Sequence, residues 1–205
     1  MKKTPVVCVP GFNTTRATNA TAYDHLANVF DSVGFDAHFP DLDWQTLDPH
    51  HWAQCMAEYA AELIEEKNEK PVLFGFSAGA VVATLATARL ERQTKNIAGL
   101  ASCSLSPWFG AEQVERTLQT PNTALSKQPL ALIDACRELE LPRIDSPMQL
   151  YIGGQEHPLL KDAHEAAREQ WPQAESIVVP ECRHNVLDPA YLDVLQANLG
   201  RLAVG

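Results

Sequence analysis

The sequence predicts an α/β fold, a three-layer sandwich in which a mostly parallel six-stranded sheet carries helices on both faces. Short apolar runs alternate along the chain with stretches whose apolar residues recur at helical spacing. Parallel strands need such crossovers, because a helix must return the chain to the starting edge of the sheet. No linker, repeat or low-complexity tract divides the 205 residues, so we expect one domain over 1–205.

Six short apolar segments are the strand candidates, at residues 5–9, 36–39, 71–75, 97–103, 148–152 and 176–179. All except the second are apolar enough to be buried on both faces, as is typical of parallel sheets. Helical spacing predicts helices near residues 22–33, 50–67, 78–92, 159–171 and 189–202. The alternation therefore supplies a helix for four of the five crossovers, all except the one between the fourth and fifth strand candidates.

The segment at about 104–146 interrupts this alternation. It shows only weak helical patterns, near 110–119 and 130–139, and it contains Pro107, Pro121, Pro129 and Pro142. The segment is too short for a second domain. We therefore expect a short helical excursion that forms a small cap over a site at the edge of the sheet.

Composition and charge exclude several classes of function. The formal net charge is -10 and no Lys/Arg cluster is present, which argues against nucleic acid as a partner. The first apolar run is bounded by Pro5 and Pro10, too short for a signal peptide, and no later run is long enough to cross a bilayer. We expect a cytoplasmic protein with no membrane partner.

The cysteines and histidines show no metal-binding spacing, so we predict no metal. The five cysteines are odd in number, scattered and without CxxC spacing, which indicates reduced and mostly buried side chains. They are Cys8, Cys55, Cys103, Cys136 and Cys182.

A G-x-S-x-G motif, residues 75–79, follows the third strand candidate directly and leads into a helix. In this strand-turn-helix context the serine, Ser77, lies on a sharp, strained turn that exposes its hydroxyl. Side chains at Gly75 or Gly79 would collide with the neighbouring strand and helix. The Ala78 backbone N–H then lies at a helix N-terminus, where it can stabilise an oxyanion. Ser77 is the candidate nucleophile.

At this motif the sequence resembles the α/β-hydrolase family, specifically its small, esterase-like serine hydrolases, and the resemblance covers nearly the whole chain. In that family the loop after the first strand supplies a second oxyanion donor, often from an HG-x sequence. Here the loop reads Pro10-Gly11-Phe12-Asn13. The resemblance implies that the Phe12 backbone N–H is this donor. Asn13 is a candidate pocket residue that could hydrogen-bond to the substrate, although an Asx-turn is its favoured role.

The family's chain order of serine, acid and histidine implies the other two catalytic residues. His184 follows the last strand candidate and precedes the closing helix, where similar enzymes carry the histidine. The turn Gly153-Gly154-Gln155-Glu156 resembles the family's strand-G-x-x-D turn and implies Glu156 as the acid. Asp134 and Asp145 are the replacements, although Asp145 precedes a strand and so lies at the wrong edge of the sheet.

The resemblance implies a serine hydrolase that cleaves a carboxylic ester or thioester of a small-molecule acyl substrate through an acyl-enzyme, without a cofactor. An amide or peptide hydrolase and a non-catalytic binding protein with this fold are the alternatives. Trp108 and Phe109 follow the fourth strand candidate, and we expect them to line the substrate pocket, with core packing as the rival role. Trp44 has a weaker claim to the pocket. The oligomeric state is left open.

Overall fold

The computed structural model describes residues 3–12, 20–121, 123 and 125–203. Its strands are β1 Thr4–Val9, β2 Phe35–His38, β3 Val72–Phe76, β4 Gly99–Cys103, β5 Met148–Gly153 and β6 Glu175–Val179. They form one six-stranded sheet in the order β2-β1-β3-β4-β5-β6, and each neighbouring pair is parallel. The predicted fold class is confirmed.

Seven α-helices connect and cover these strands in the part of the chain that the structure describes. They are α1 Ala20–Ser32, α2 Pro49–Lys67, α3 Ala78–Arg92, α4 Ala111–Gln119, α5 Leu130–Arg137, α6 Pro158–Gln170 and α7 Pro189–Asn198. None of the described helices is both long and apolar enough to cross a bilayer.

Local sequence signals mark where several helices begin. Asp48 precedes Pro49 at the start of α2, and its carboxylate accepts a hydrogen bond from the backbone N–H of His50. Asp188 and Pro189 repeat this arrangement at α7. A capping carboxylate satisfies a free N–H, and proline lacks the N–H that would otherwise be unpaired, so both residues favour a helix start.

The two faces of the sheet bury separate cores. Along β1, Val7 and Val9 belong to a cluster that includes residues of α2 and α3, whereas Val6 and Cys8 belong to a second cluster with residues of α1 and α7. Successive side chains of a strand point to opposite faces. A strand covered on both sides must therefore be apolar throughout, which is why the buried strands were visible as continuous apolar runs.

The edge strand β6 does not follow this rule, and the prediction that it is buried on both faces is wrong. Only Val179 is fully buried, and Val178 is 56% exposed. β6 pairs on one side only, with β5. Ile177 and Val179 pack on the second core cluster, whereas Ser176 and Val178 on the other face are exposed. The apolar residues of β6 do not reveal this difference from sequence.

The excursion between β4 and β5 contains α4 and α5, close to the two weak helical patterns. Its side chains Val114, Leu132 and Cys136 are buried in the same core cluster as α2 and α3. Four of the cysteines are buried and Cys55 is half-buried, all as free thiols, as predicted. The excursion is thus anchored to the sandwich by apolar contacts, and it passes over the carboxyl end of β4.

The order of the strands sets where a site can form. The chain passes outward from β1 to β2, then returns to pair β3 on the other side of β1. In open parallel sheets the crevice at such a reversal, outside the carboxyl ends of the strands, is the usual place for a ligand. Val9 and Gly75 are paired across these two strands, so Phe12 and Ser77 follow at the same edge.

Candidate active site

Ser77 occupies the turn between β3 and α3 in a strained conformation. Its φ of 59° and ψ of -122° lie in a region that non-glycine residues rarely adopt. The backbone N–H of Ser77 donates a 2.9 Å hydrogen bond to the carbonyl oxygen of Cys103, at the end of β4. The turn is therefore tied to the neighbouring strand, and it projects the side chain beyond the sheet.

The two glycines of the motif are required by close backbone approaches. A Cβ atom at Gly75 would overlap the carbonyl group of Gly79, and one at Gly79 would overlap the carbonyl oxygen of Val9. These contacts hold α3 against β3 and β1. The glycines therefore have the steric role that the sequence predicts.

Ser77, His184 and Glu156 form one chain of hydrogen bonds. The Ser77 Oγ lies 2.9 Å from the His184 Nε2, and the His184 Nδ1 lies 2.9 Å from the Glu156 Oε2. His184 lies on the loop between β6 and α7, with its ring tilted against that of Phe76 at a centroid distance of 4.7 Å. Three distant segments thus meet at the carboxyl edge of the sheet.

The Glu156 side chain is fully buried but well satisfied. Besides the bond to His184, its other oxygen accepts a hydrogen bond of 2.9 Å from the Gly153 N–H and one from the Ser104 hydroxyl. Burial raises the pKa of the Glu156 carboxyl, but these donors outweigh it and bring the pKa below its ordinary value. The carboxylate is therefore ionised at neutral pH.

Ser104 and Tyr191 extend this network, and the sequence carried no signal for either. Ser104 has a φ of 51°, and its Oγ lies 3.1 Å from the Tyr191 hydroxyl. Because the single hydroxyl proton of Ser104 is donated to Glu156, Tyr191 must donate to Ser104. Burial raises the pKa of Tyr191, which keeps the phenol protonated as this donor. Ser104, Glu156 and Tyr191 come from separate parts of the chain, so only the fold brings them together.

The two alternative acids do not reach His184. Asp134 pairs with Arg137 on the surface of α5, and Asp145 pairs with Arg143 before β5. Both carboxylates are exposed. The geometry thus favours Glu156 over either aspartate as the partner of the imidazole.

Ala78, one of the two expected oxyanion donors, follows Ser77 directly. Ala78 is the first residue of α3 and is 1% exposed, and an N–H in the first turn of a helix has no intrahelical acceptor. The Phe12 ring packs edge-on against Trp44, Trp52 and Trp108 at centroid distances of 5.2 to 5.8 Å. This packing holds the Phe12 side chain in place. Asn13 lies outside the described residues.

A cavity of about 230 Å³ opens beside Ser77 and His184. Trp108 lines it and Phe109 does not: Phe109 is 5% exposed and lies in the core cluster. Trp44 also packs in that core. The remaining lining residues are mostly apolar or carry hydroxyls, and they are Ser106, Pro107, Thr117, Thr120, Pro121, Thr123, Leu125, His157, Leu159 and Leu160.

Most of the cavity wall belongs to the excursion between β4 and β5, and the rest comes from Ser77, His184 and the start of α6. The excursion therefore forms one side of a small pocket at the carboxyl edge of the sheet. Among the residues that the structure describes, no group of three or more His, Cys, Asp or Glu side chains is placed to hold a metal ion.

Comparison with solved structures shows the same fold at low sequence identity. Est1E from Butyrivibrio proteoclasticus, solved with ferulic acid bound, superposes with a TM-score of 0.74 at 14% identity, covering 99% of this chain and 89% of that chain. RedJ-thioesterase from the prodiginine biosynthetic pathway of Streptomyces coelicolor superposes with a TM-score of 0.60 at 18% identity, covering 97% of this chain and 85% of that chain. An alpha/beta hydrolase enzyme from a sediment metagenome of the Mar Chica lagoon, Morocco, superposes with a TM-score of 0.66 at 20% identity, covering 95% of this chain and 88% of that chain.

Comparison by sequence gives a family match but no individual relative. No curated protein matches the chain. A model of the alpha/beta hydrolase family matches residues 6–143, which run from β1 through the excursion and include the Ser77 turn. With more than half of its length matched in this way, the chain belongs to the alpha/beta hydrolase family.

Proposed function

We propose that the protein is a serine hydrolase that cleaves a carboxylic ester or thioester of a small-molecule acyl substrate. The observation that carries this proposal is the continuous hydrogen-bond chain from Glu156 through His184 to Ser77. It ends on a strained serine that faces a cavity, as nucleophilic catalysis requires.

The protonation states follow from the hydrogen bonds. Ionised Glu156 can only accept, so the His184 Nδ1 carries a proton and donates it to Oε2. In the neutral imidazole, Nε2 is then an acceptor and receives the Ser77 O–H. Glu156 thus selects the tautomer in which His184 is a base toward Ser77.

In the first half of the reaction, the Ser77 Oγ attacks the substrate carbonyl carbon while its proton passes to the His184 Nε2. The carbonyl oxygen becomes an oxyanion, and the N–H groups of Ala78 and Phe12 stabilise it, each by about 3 kcal/mol. The tetrahedral intermediate collapses when the imidazolium protonates the leaving oxygen or sulfur. An acyl group remains on Ser77.

In the second half, His184 takes a proton from a water molecule that attacks the acyl-enzyme. A second tetrahedral intermediate forms at the same oxyanion position, and its collapse returns the proton to Ser77 and releases the carboxylic acid.

The cavity supports a small and largely apolar acyl group. Its volume of about 230 Å³ lies below the range of pockets that take drug-sized ligands, and Trp108, Leu159 and Leu160 offer apolar contact. Est1E holds ferulic acid and RedJ is a thioesterase. A bound carboxylic acid in one and thioester cleavage by the other are both consistent with an acyl substrate at the carboxyl edge of the sheet.

Labelling with a fluorophosphonate probe and hydrolysis of short p-nitrophenyl esters test the proposal. We expect wild type to take up the probe and cleave the ester, and Ser77→Ala and His184→Ala to lose both. Matched controls are Ser32→Ala and His25→Ala, which change exposed residues of α1 and keep wild-type rates. A wild-type protein that neither takes up the probe nor cleaves any ester or thioester of the panel contradicts the proposal and favours a binding role.

A further inference from the structure

A second serine hydroxyl lies against the proposed nucleophile. The Ser106 Oγ is 3.2 Å from the Ser77 Oγ, and Ser106 is 5% exposed. It lies on the loop after β4 and lines the cavity beside Ser77.

The direction of this hydrogen bond follows from the rest of the network. Ser77 has one hydroxyl proton, and it points at the His184 Nε2 because that nitrogen is the acceptor. The contact between the two serines then has only one possible donor. Ser106 donates its O–H to a lone pair of the Ser77 Oγ.

The backbone holds Ser106 in place for this contact. The next residue is Pro107, which restricts the backbone of Ser106 to extended conformations. The Trp108 N–H donates a 2.8 Å hydrogen bond to the Ser106 carbonyl oxygen, closing a three-residue turn. Trp108 is itself 3% exposed and packs on Phe12. The hydroxyl is therefore presented from a rigid and buried turn.

We propose that Ser106 is a positioning residue for the reaction, an inference that rests on the proposed function. A serine side chain has three staggered rotamers, and only one of them directs the Ser77 O–H at His184. The hydrogen bond from Ser106 favours that rotamer before substrate arrives. It thereby aligns the Ser77 proton with its acceptor and the remaining lone pair with the cavity, where the carbonyl carbon binds.

The test compares Ser106→Ala, which removes the donor, with Ser106→Thr, which keeps it. A neutral hydrogen bond of this kind corresponds to a rate effect of about fivefold. We expect Ser106→Ala to lower kcat on a short p-nitrophenyl ester and the rate of fluorophosphonate labelling by about that factor, with KM changed by less than about twofold. Ser106→Thr should restore both rates.

Controls separate positioning from packing. Ser32→Ala, at the exposed end of α1, should match wild type, and thermal unfolding should show that every variant is folded. The inference is overturned if Ser106→Ala keeps the wild-type kcat, if only its KM changes, or if Ser106→Thr loses as much rate as Ser106→Ala. If instead Ser77→Ala retains full activity and labelling, the proposed function itself fails, and the role of Ser106 fails with it.

Discussion

Glu156 and His184 are joined by a 2.9 Å hydrogen bond between Oε2 and Nδ1, although 28 positions separate them in the chain. The Glu156 side chain is fully buried, whereas the His184 side chain is 38% exposed. The buried carboxylate therefore orients the imidazole from beneath, and the other edge of the ring stays open to Ser77 and the cavity.

Glu156→Gln should abolish most of the activity without unfolding the protein. An amide N–H₂ facing Nδ1 favours the imidazole tautomer with its proton on Nε2, which cannot accept the proton of Ser77. We expect kcat on a p-nitrophenyl ester to fall by about 10³-fold or more. Asp145→Asn, which changes an exposed carboxylate paired with Arg143, is the control and should keep the wild-type rate. A large loss in the control would transfer the acid role to Asp145.

The lowered pKa of Glu156 predicts a dependence of stability on pH. The unfolded chain binds this proton at a higher pH than the folded protein does, so the free energy of unfolding rises with pH through this window. The contribution is complete above the ordinary pKa of 4.5 and is lost as the pH falls through the folded value. Urea titrations should show that Glu156→Gln lacks this slope. Parallel profiles for the two proteins below pH 4.5 would contradict the prediction.

Ser104→Ala should destabilise the protein, whereas Ser102→Ala should not. Ser104 bonds to Glu156 and Tyr191, and its removal leaves buried polar atoms without a partner, at a cost of about 1 to 3 kcal/mol. The Ser102 Oγ is also buried but has no hydrogen-bond partner among the described residues. Urea unfolding of the two variants provides the comparison. An equal loss in the free energy of unfolding would show that the hydrogen bonds of Ser104 do not stabilise the protein.

Gly79→Ala is a small substitution, but it should strongly destabilise the protein. Its methyl group would overlap the Val9 carbonyl oxygen, which forces α3 away from β1 and costs about 3 kcal/mol or more. An added Cβ at Gly200 meets no atom within 4 Å, so Gly200→Ala should stay within about 0.5 kcal/mol of wild type. Unfolding midpoints in urea measure both, and a mild effect at Gly79 would contradict the close approach.

Leu160→Trp should shorten the acyl group that the cavity accepts. Leu160 is half-buried and lines the cavity, so a larger ring there takes up space without disturbing the core. We expect kcat/KM for p-nitrophenyl octanoate to fall about tenfold relative to the acetate. Leu130→Trp changes a residue at the start of α5 that is 74% exposed, and it should leave this ratio unchanged. A constant ratio in both variants would place the acyl group elsewhere.

The layers of the fold and the turn that carries Ser77 could be predicted from the sequence alone. Both depend on information that is local in the chain. A strand buried on both faces must be apolar along its whole length, and a strained turn between strand and helix needs small residues at Gly75 and Gly79. Even the weak patterns of the excursion marked α4 and α5, because amphipathic spacing survives in short helices.

Features that depend on the position of a segment in the sheet, or on contacts between distant segments, could be seen only in the folded structure. The apolar residues of β6 predict a strand buried on both faces, because nothing in them indicates that it lies at the end of the sheet. Trp108 and Phe109 are adjacent in sequence and both lie in the core cluster, yet only Trp108 also lines the cavity. Ser104 and Ser106 resemble any serines of a loop, since a hydrogen bond is defined by distance and direction in space and leaves no pattern in one sequence.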